Sequence, residues 1–221
     1  RKDWIITTKV LPKGDFNFLK YKFENSLKNL KLKKIHNLAI HGINLEKHLD
    51  WVLNGEGGKF LKWVIKKGLV DQVGFSSHGS YSLIEKAIKC DVFSFCNLHL
   101  HLLDQSKISL AQIALKKNMG VLAISPADKG GRLYSPSDIL LKASAPYHPL
   151  ELAYRFLISK GITTLSLGAT KYEDFTIAKK LINSSQKLTS SENSALQNIE
   201  NLANEELKST KCGQCRSCLP C

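Results

Sequence analysis

The sequence predicts an α/β fold: a (β/α)8, TIM-type barrel that is incomplete, with about six strand–helix units, then a C-terminal helix and a cysteine-rich tail. Three observations predict it. From Arg1 to about Lys180, short β-rich runs alternate with longer amphipathic stretches, about 30 residues per unit, which is the spacing of a complete eight-unit barrel. No G-x-G-x-x-G follows any strand, which weighs against an open dinucleotide-binding sheet. The chain also opens on Arg1 directly before an apolar run, so it reads as a barrel short of its first two units.

The elements follow in order. "WIITTKV" (4–10) is a strand, and "FNFLKYKFENSLKNLKL" (16–32) places Phe16, Leu19, Phe23, Leu27 and Leu30 on one side of a helix. "IHNLAIH" (35–41) is strand-like, and a helical region runs through "GKFLKWVIKKG" (58–68). "VDQVGFSS" (70–77) precedes the helix "YSLIEKAIK" (81–89), and "VFSFCNLHL" (92–100) precedes "ISLAQIALKKN" (108–118). "GVLAIS" (120–125) leads through a long loop to "PLELAYRFLISKG" (149–161), and "TTLSLGA" (163–169) leads to "YEDFTIAKKLIN" (172–183). Helical crossovers between successive strands require a parallel sheet buried on both faces. Loop 126–148 is too long and too rich in Gly and Pro for a plain connector, and substrate contacts are expected there. Ser190 or Ser191 is the expected cap of a terminal helix reaching about Leu207. The expected divisions are a barrel over 1–185, a helical segment over 186–210 and a tail over 211–221.

Composition narrows the classes. Hydrophobic residues at 43% and charged residues at 23% are ordinary for a globular domain. No apolar run reaches membrane-span length and no signal peptide opens the chain, so the expected setting is cytoplasmic, with no membrane partner. The net charge of +13 raises the question of nucleic acid. Only Arg1, Arg132, Arg155 and Arg216 of the 32 basic residues are arginine, the residue that base readout and bidentate phosphate contacts favour. The lysines are spread along the chain, which reads as a solvated surface and no nucleic-acid partner.

In a parallel barrel the chemistry sits at the carboxyl ends of the strands. Those ends carry Lys9, then His41, then Ser76, Ser77 and His78, then Asn97 and His99, then Ser125, then Gly168, Ala169 and Thr170. Singly, a strand-end lysine is a snorkelling side chain and a strand-end histidine a hydrogen-bonded core residue. Together, and with small polar residues on successive strand ends, they point to a site.

"RKDWIITTKV", "FENSLKNLKLKKIHNLAIHG", "KKGLVDQVGFSSH", "NMGVLAISPADKGGRL" and "LSLGATKYEDF" resemble, in order and spacing, the core motifs of the aldo/keto reductases, NAD(P)H-dependent oxidoreductases on a (β/α)8 barrel. The resemblance runs from Arg1 to about Leu181. It implies that Lys9 and His41 match two members of the family's Asp–Tyr–Lys–His catalytic group. Hydride delivery builds negative charge on a carbonyl oxygen to which the family's tyrosine donates a proton; the ammonium lowers that tyrosine's pKa toward working pH, and the histidine orients the carbonyl. The family's Asp and Tyr would precede Arg1, so this fragment by itself is expected to be inactive. Ser76, Ser77 and Asn97 match the positions that hold the nicotinamide carboxamide, and Ser125, of the "SP" pair, is a further cofactor-binding candidate. Gly168, Ala169 and Thr170 match the start of the phosphate-binding segment. Ile124 replaces the usual stacking aromatic, His36 replaces the usual Asp of the second motif, and "KYEDF" lacks the arginine expected at a 2′-phosphate. The cofactor is therefore NADP or NAD, with a small-molecule carbonyl as substrate.

The chain ends "KCGQCRSCLPC", with Cys212, Cys215, Cys218 and Cys221 at three-residue intervals. Cysteines three apart pair poorly as disulfides. Zinc sites usually separate two C-x2-C knuckles by a longer loop. A compact run suits the iron corners of a cluster, although ferredoxin-type runs usually space the last cysteine by three residues. A branch of the aldo/keto reductases carries a similar ferredoxin-like tail, which implies a [4Fe–4S] cluster, with zinc the second choice, and a possible electron-transfer partner. Cys90 and Cys96 read as buried structural thiols. The rival to an enzyme is a non-catalytic barrel that serves as a cluster-bearing electron-transfer or binding module.

Overall fold

A computed structural model describes residues 4–184 and 187–207. Six strands alternate with helices along them, and the pairs β1·β2, β2·β3, β3·β4 and β5·β6 are all parallel. The residues form two compact units. The first runs through Leu98 and includes Lys116–Gly120; the second holds His99–Leu115 and the described residues from Val121 onward.

The first unit contains β1 (Thr7–Val10), α1 (Phe16–Leu30), β2 (Ile35–His41), α2 (Glu46–Leu53), α3 (Glu56–Lys66), β3 (Val70–Ser77), α4 (Tyr81–Lys89) and most of β4 (Phe95–His99). Helix α1 starts where Asp15 accepts the Phe18 N–H at 2.8 Å and stops at Lys31, which takes a left-handed conformation (φ 55°). Its apolar stripe buries Leu19, Phe23 and Leu27, and Phe23 packs edge-on against Phe60 of α3 with ring centres 5.9 Å apart. The region expected to be helical at 58–68 is the second of two helices. The eight-residue α2, which buries Leu49 and Val52, is too short to show a clear period in the sequence.

Register separates the two faces of the first sheet. Val10, Ile40, Phe75 and Cys96 form one cross-strand row, every member buried. Burial of such side chains contributes roughly 1.5–3 kcal/mol each. On the opposite face Lys9, Ala39, Gly74 and Phe95 form a row, and His41, Ser76 and Asn97 form the next row toward the strand ends. Gly74 is required there, since a Cβ would stand 2.5 Å from both the Phe95 ring and the Phe95 carbonyl oxygen.

The second unit contains α5 (Ile108–Lys116) up to Leu115, β5 (Gly120–Ile124) from Val121, α6 (Asp138–Ser144), α7 (Pro149–Ser159), β6 (Thr164–Leu165), α8 (Thr176–Leu181) and α9 (Ser190–Leu207). The strand expected over 163–169 shrinks to two residues. Its ladder ends one bond later, where the Ser166 N–H meets the Ala123 carbonyl at 2.9 Å. Loop 126–148 is folded into a 3-10 segment, Lys129–Tyr134, and helix α6.

Helix α9 begins at Ser190, and its cap is Thr189 and not the expected Ser190 or Ser191. Glu192 N–H donates to Thr189 Oγ1 at 3.1 Å, and Thr189 N–H donates to Glu192 Oε2 at 2.7 Å. That reciprocal pair is the T-x-x-E capping box, a signal present in "TSSE". Glu192 also receives a two-pronged ion pair from Arg155 of α7, at 2.5 and 3.1 Å, with the two residues 6% and 5% exposed. Arg155 donates further to Ser184 Oγ and to the Lys187 carbonyl, at 3.2 and 2.8 Å. The guanidinium and the cap bonds hold the Glu192 carboxyl down to about 2, against desolvation, which pushes it up.

Candidate functional site

The end of the first sheet positions the candidate site. Alternation along β2 puts His41 on the same face as Ala39, and register puts Lys9 beside Ala39, so the ammonium and the imidazole rise from adjacent strands on one face. Both residues are exposed. Partial burial and the charge of Lys9 together lower the pKa of His41, which keeps the ring neutral near neutral pH.

The loops beyond His41 and Ser77 are tied to each other. Gly42 turns with φ 87°, and its N–H meets both the carbonyl and the hydroxyl of Ser76 at 3.1 Å. Ile43 N–H donates to the Ser76 carbonyl at 2.8 Å, and His78 N–H donates to Asn44 Oδ1 at 2.8 Å. These bonds fix the backbone on either side of the His41 rim.

Ser76 and Asn97 lie in the His41 row, and both are buried, Asn97 to 2% exposure. Ser77 differs from them. It faces the other side, in register with Leu98, and its hydroxyl donates to the Ile43 carbonyl at 2.5 Å while accepting the Gly79 N–H at 2.9 Å. Its role is to close the loop, and the expectation that it holds a carboxamide beside Ser76 does not fit that geometry. His36, whose effect the motif left open, accepts the Ile6 N–H at 3.0 Å and anchors the approach to β1.

The remaining residues belong to the second unit. Ser125 follows β5 in a left-handed conformation (φ 54°) and is half-buried. Gly168, Ala169 and Thr170 form irregular backbone before the 3-10 turn Tyr172–Phe175. The backbone amides of Thr170 and Lys171 are already hydrogen-bonded within the chain. Asp174 Oδ2 accepts Thr170 N–H at 2.8 Å, Thr170 Oγ1 at 3.1 Å and Lys171 N–H at 3.1 Å, and these bonds hold its carboxyl below the usual range. Cys96 is buried, and burial pushes its thiol up to about 12. Cys90 is only half-buried and donates to the Ala87 carbonyl at 3.1 Å. Cys212, Cys215, Cys218 and Cys221 lie outside the described residues.

A second group escaped the sequence reading. His99, His101 and Asp104 each bring one ligand-type atom within 4.8 Å of the others. Its signal was "HLH" with an aspartate three residues on, masked because His99 was read only as a strand end. Among the described residues no helix is long and apolar enough to cross a membrane.

The aldo/keto reductase family model matches residues 1–139. Among solved structures, the chain is similar to the holo form of an aldo-keto reductase from Bacillus halodurans, with a TM-score of 0.74 at 18% identity over 90% of this chain and 72% of that one. It is similar to an aldo/keto reductase from Brucella melitensis at a TM-score of 0.69 and 20% identity, covering 90% and 74%. An aldo-keto reductase complexed with NADPH matches at a TM-score of 0.66 and 19% identity, covering 89% and 64%. None of the curated proteins compared matches the chain. The structural likenesses establish an α/β fold shared with aldo/keto reductase barrels. Because the family model spans residues 1–139 of 221, the chain belongs to the aldo/keto reductase family, a family of oxidoreductases.

Proposed function

We propose that this chain takes part in hydride transfer between a nicotinamide dinucleotide and a small-molecule carbonyl or alcohol, with Lys9 and His41 as the groups that act on the substrate oxygen. The observation that carries this reading is the placement of Lys9 and His41 on one face of adjacent strands, close enough that the ammonium lowers the imidazole's pKa. A neutral His41 donates an N–H to the carbonyl oxygen and orients it. Lys9 would lower the pKa of the tyrosine that, by the family resemblance, donates the proton to that oxygen in the complete protein, so that the alkoxide left by hydride transfer becomes an alcohol. The nicotinamide ring, when bound, supplies or accepts the hydride.

The chain's own residues fit the nicotinamide end of such a cofactor better than the 2′-phosphate end. Ser76 and Asn97 offer buried polar groups in the His41 row, suited to a carboxamide. Ser125 and the 168–170 segment, in the second unit, are cofactor-binding candidates by the family resemblance alone. The Asp174 carboxylate already fills the Thr170 and Lys171 amides, which favours NADH at least as much as NADPH.

The test is cofactor oxidation by the full-length protein with a panel of aldehydes and ketones, NADH and NADPH compared. Lys9→Met is expected to lower kcat by about 100-fold or more with a small change in KM, by analogy with loss of general-acid catalysis. Wild-type turnover in the Lys9→Met protein would remove the assigned role. We further propose that Cys212, Cys215, Cys218 and Cys221 hold an accessory [4Fe–4S] cluster, supported by their regular three-residue spacing. Anaerobic purification should give about four iron and four sulfide per chain and broad visible absorption. Stoichiometric zinc without sulfide would overturn it.

A further inference from the structure

The turn after β4 brings together three side chains that hydride transfer does not use. His101 is 7% exposed, and its Nδ1 is buried without a hydrogen-bond partner. A buried imidazole nitrogen left in this way carries an uncompensated desolvation cost unless something fills it. His99 packs edge-on against His101, ring centres 4.9 Å apart and planes at 83°. The turn folds back so that Asp104 N–H meets the His101 carbonyl at 3.2 Å, which carries the exposed Asp104 carboxylate toward the two rings. Ser106 N–H holds that carboxylate at 3.1 Å. On the other nitrogen of His101, Nε2 stands 3.9 Å from Asp128 Oδ1, and Asp128 is itself fixed by the Lys129 N–H at 2.6 Å.

Two imidazoles and a carboxylate form a donor set for a borderline divalent ion such as Zn2+. Ligand atoms on one such ion, each about 2 Å from it, lie roughly 3–4 Å apart, so a grouping within 4.8 Å needs only small rotamer adjustment. Metal-bound histidines usually point their second nitrogen at a carboxylate, which is how Asp128 faces His101.

We propose that His99, His101 and Asp104 bind one Zn2+ ion or another divalent ion of that class, with Asp128 as the positioning residue for His101. Three protein ligands leave a further coordination position open to water or a small oxygen ligand.

The test uses the full-length chain carrying Cys212→Ser, Cys215→Ser, Cys218→Ser and Cys221→Ser, so that tail thiols do not compete. Calorimetric titration with Zn2+ should show one site per chain. Co2+ in its place should give visible d–d bands without thiolate charge-transfer absorption. His101→Ala should abolish binding. Asp104→Asn, an exposed change compatible with folding, should weaken binding at least tenfold, and Asp128→Asn should weaken it by about 10–100-fold. No stoichiometric Zn2+ binding by the four-serine protein would overturn the proposal. Binding undiminished in Asp104→Asn would overturn it equally, even if His101→Ala failed to fold.

Discussion

In the first unit, the loops beyond His41 and Ser77 are tied by neutral bonds, amide to carbonyl and hydroxyl to carbonyl. In the second unit, the approach to α9 is tied by ions: Arg155 against Glu192, with Glu192 also capping the helix. Neutral bonds of this kind do not titrate between pH 2 and 8, whereas a carboxylate held low by a guanidinium does. Acid should therefore loosen the second unit's C-terminal helix while the loops beyond His41 and Ser77 stay tied. The lesson is that two parts of one chain can differ in what dissolves them.

The largest expected effect breaks the ionic side. Glu192→Ala leaves Arg155 buried without its main partner and should cost about 3–5 kcal/mol in urea unfolding. The same pair sets a pH dependence. Glu192 has a folded pKa of about 2 against an ordinary 4.5, so its stabilisation is complete above about pH 4.5 and is lost as pH falls toward 2. Hydrogen exchange should show α9 amides losing protection in that window before those of β2 and β3. Equal loss in both regions would erase the contrast.

The next effect probes the neutral side. Gly74→Ala forces a methyl group against the Phe95 carbonyl and ring, and should destabilise the protein by about 1–3 kcal/mol at every pH from 4 to 8. A smaller effect concerns Asp174, whose removal by Asp174→Ala frees the Thr170 and Lys171 amides. The NADPH-to-NADH affinity ratio should rise a few-fold, readable by fluorescence titration; an unchanged ratio would show that these amides do not meet the cofactor. The smallest is spectroscopic. In Lys9→Met the His41 titration followed by NMR should move upward, because Lys9 depresses it, and stop short of the ordinary value, because burial remains.

Where the apolar period was long or the strand well bounded, the chain announced its own structure. β2 at Ile35–His41, β3 at Val70–Ser77 and α4 at Tyr81–Lys89 carry the limits that their β-branched runs and turn residues imply. Weak periods misled. The two-residue β6 sits inside a seven-residue apolar-looking run, and α2 hides in a segment of eight. At the candidate site, Lys9 and His41 were legible as strand-end residues, because alternation and helical crossovers put the ends of parallel strands at one edge. Ser77 was not, since "FSS" cannot say which hydroxyl faces which side until the register with Leu98 is known.

Sequence alone determined the alternation of strand and helix, the parallel sheet, the family motifs and the candidate amine and imidazole, because these rest on local period and spacing. Only the tertiary structure decided what depends on how side chains meet in space. It turned Glu192 into the partner of Arg155 across 37 positions. It filled the Thr170 and Lys171 amides with Asp174, and it gathered His99, His101 and Asp104 around one buried nitrogen. A pKa, a buried charge and a ligand set are sums over space, and even residues as near in sequence as His99, His101 and Asp104 are brought together only by the fold of the turn.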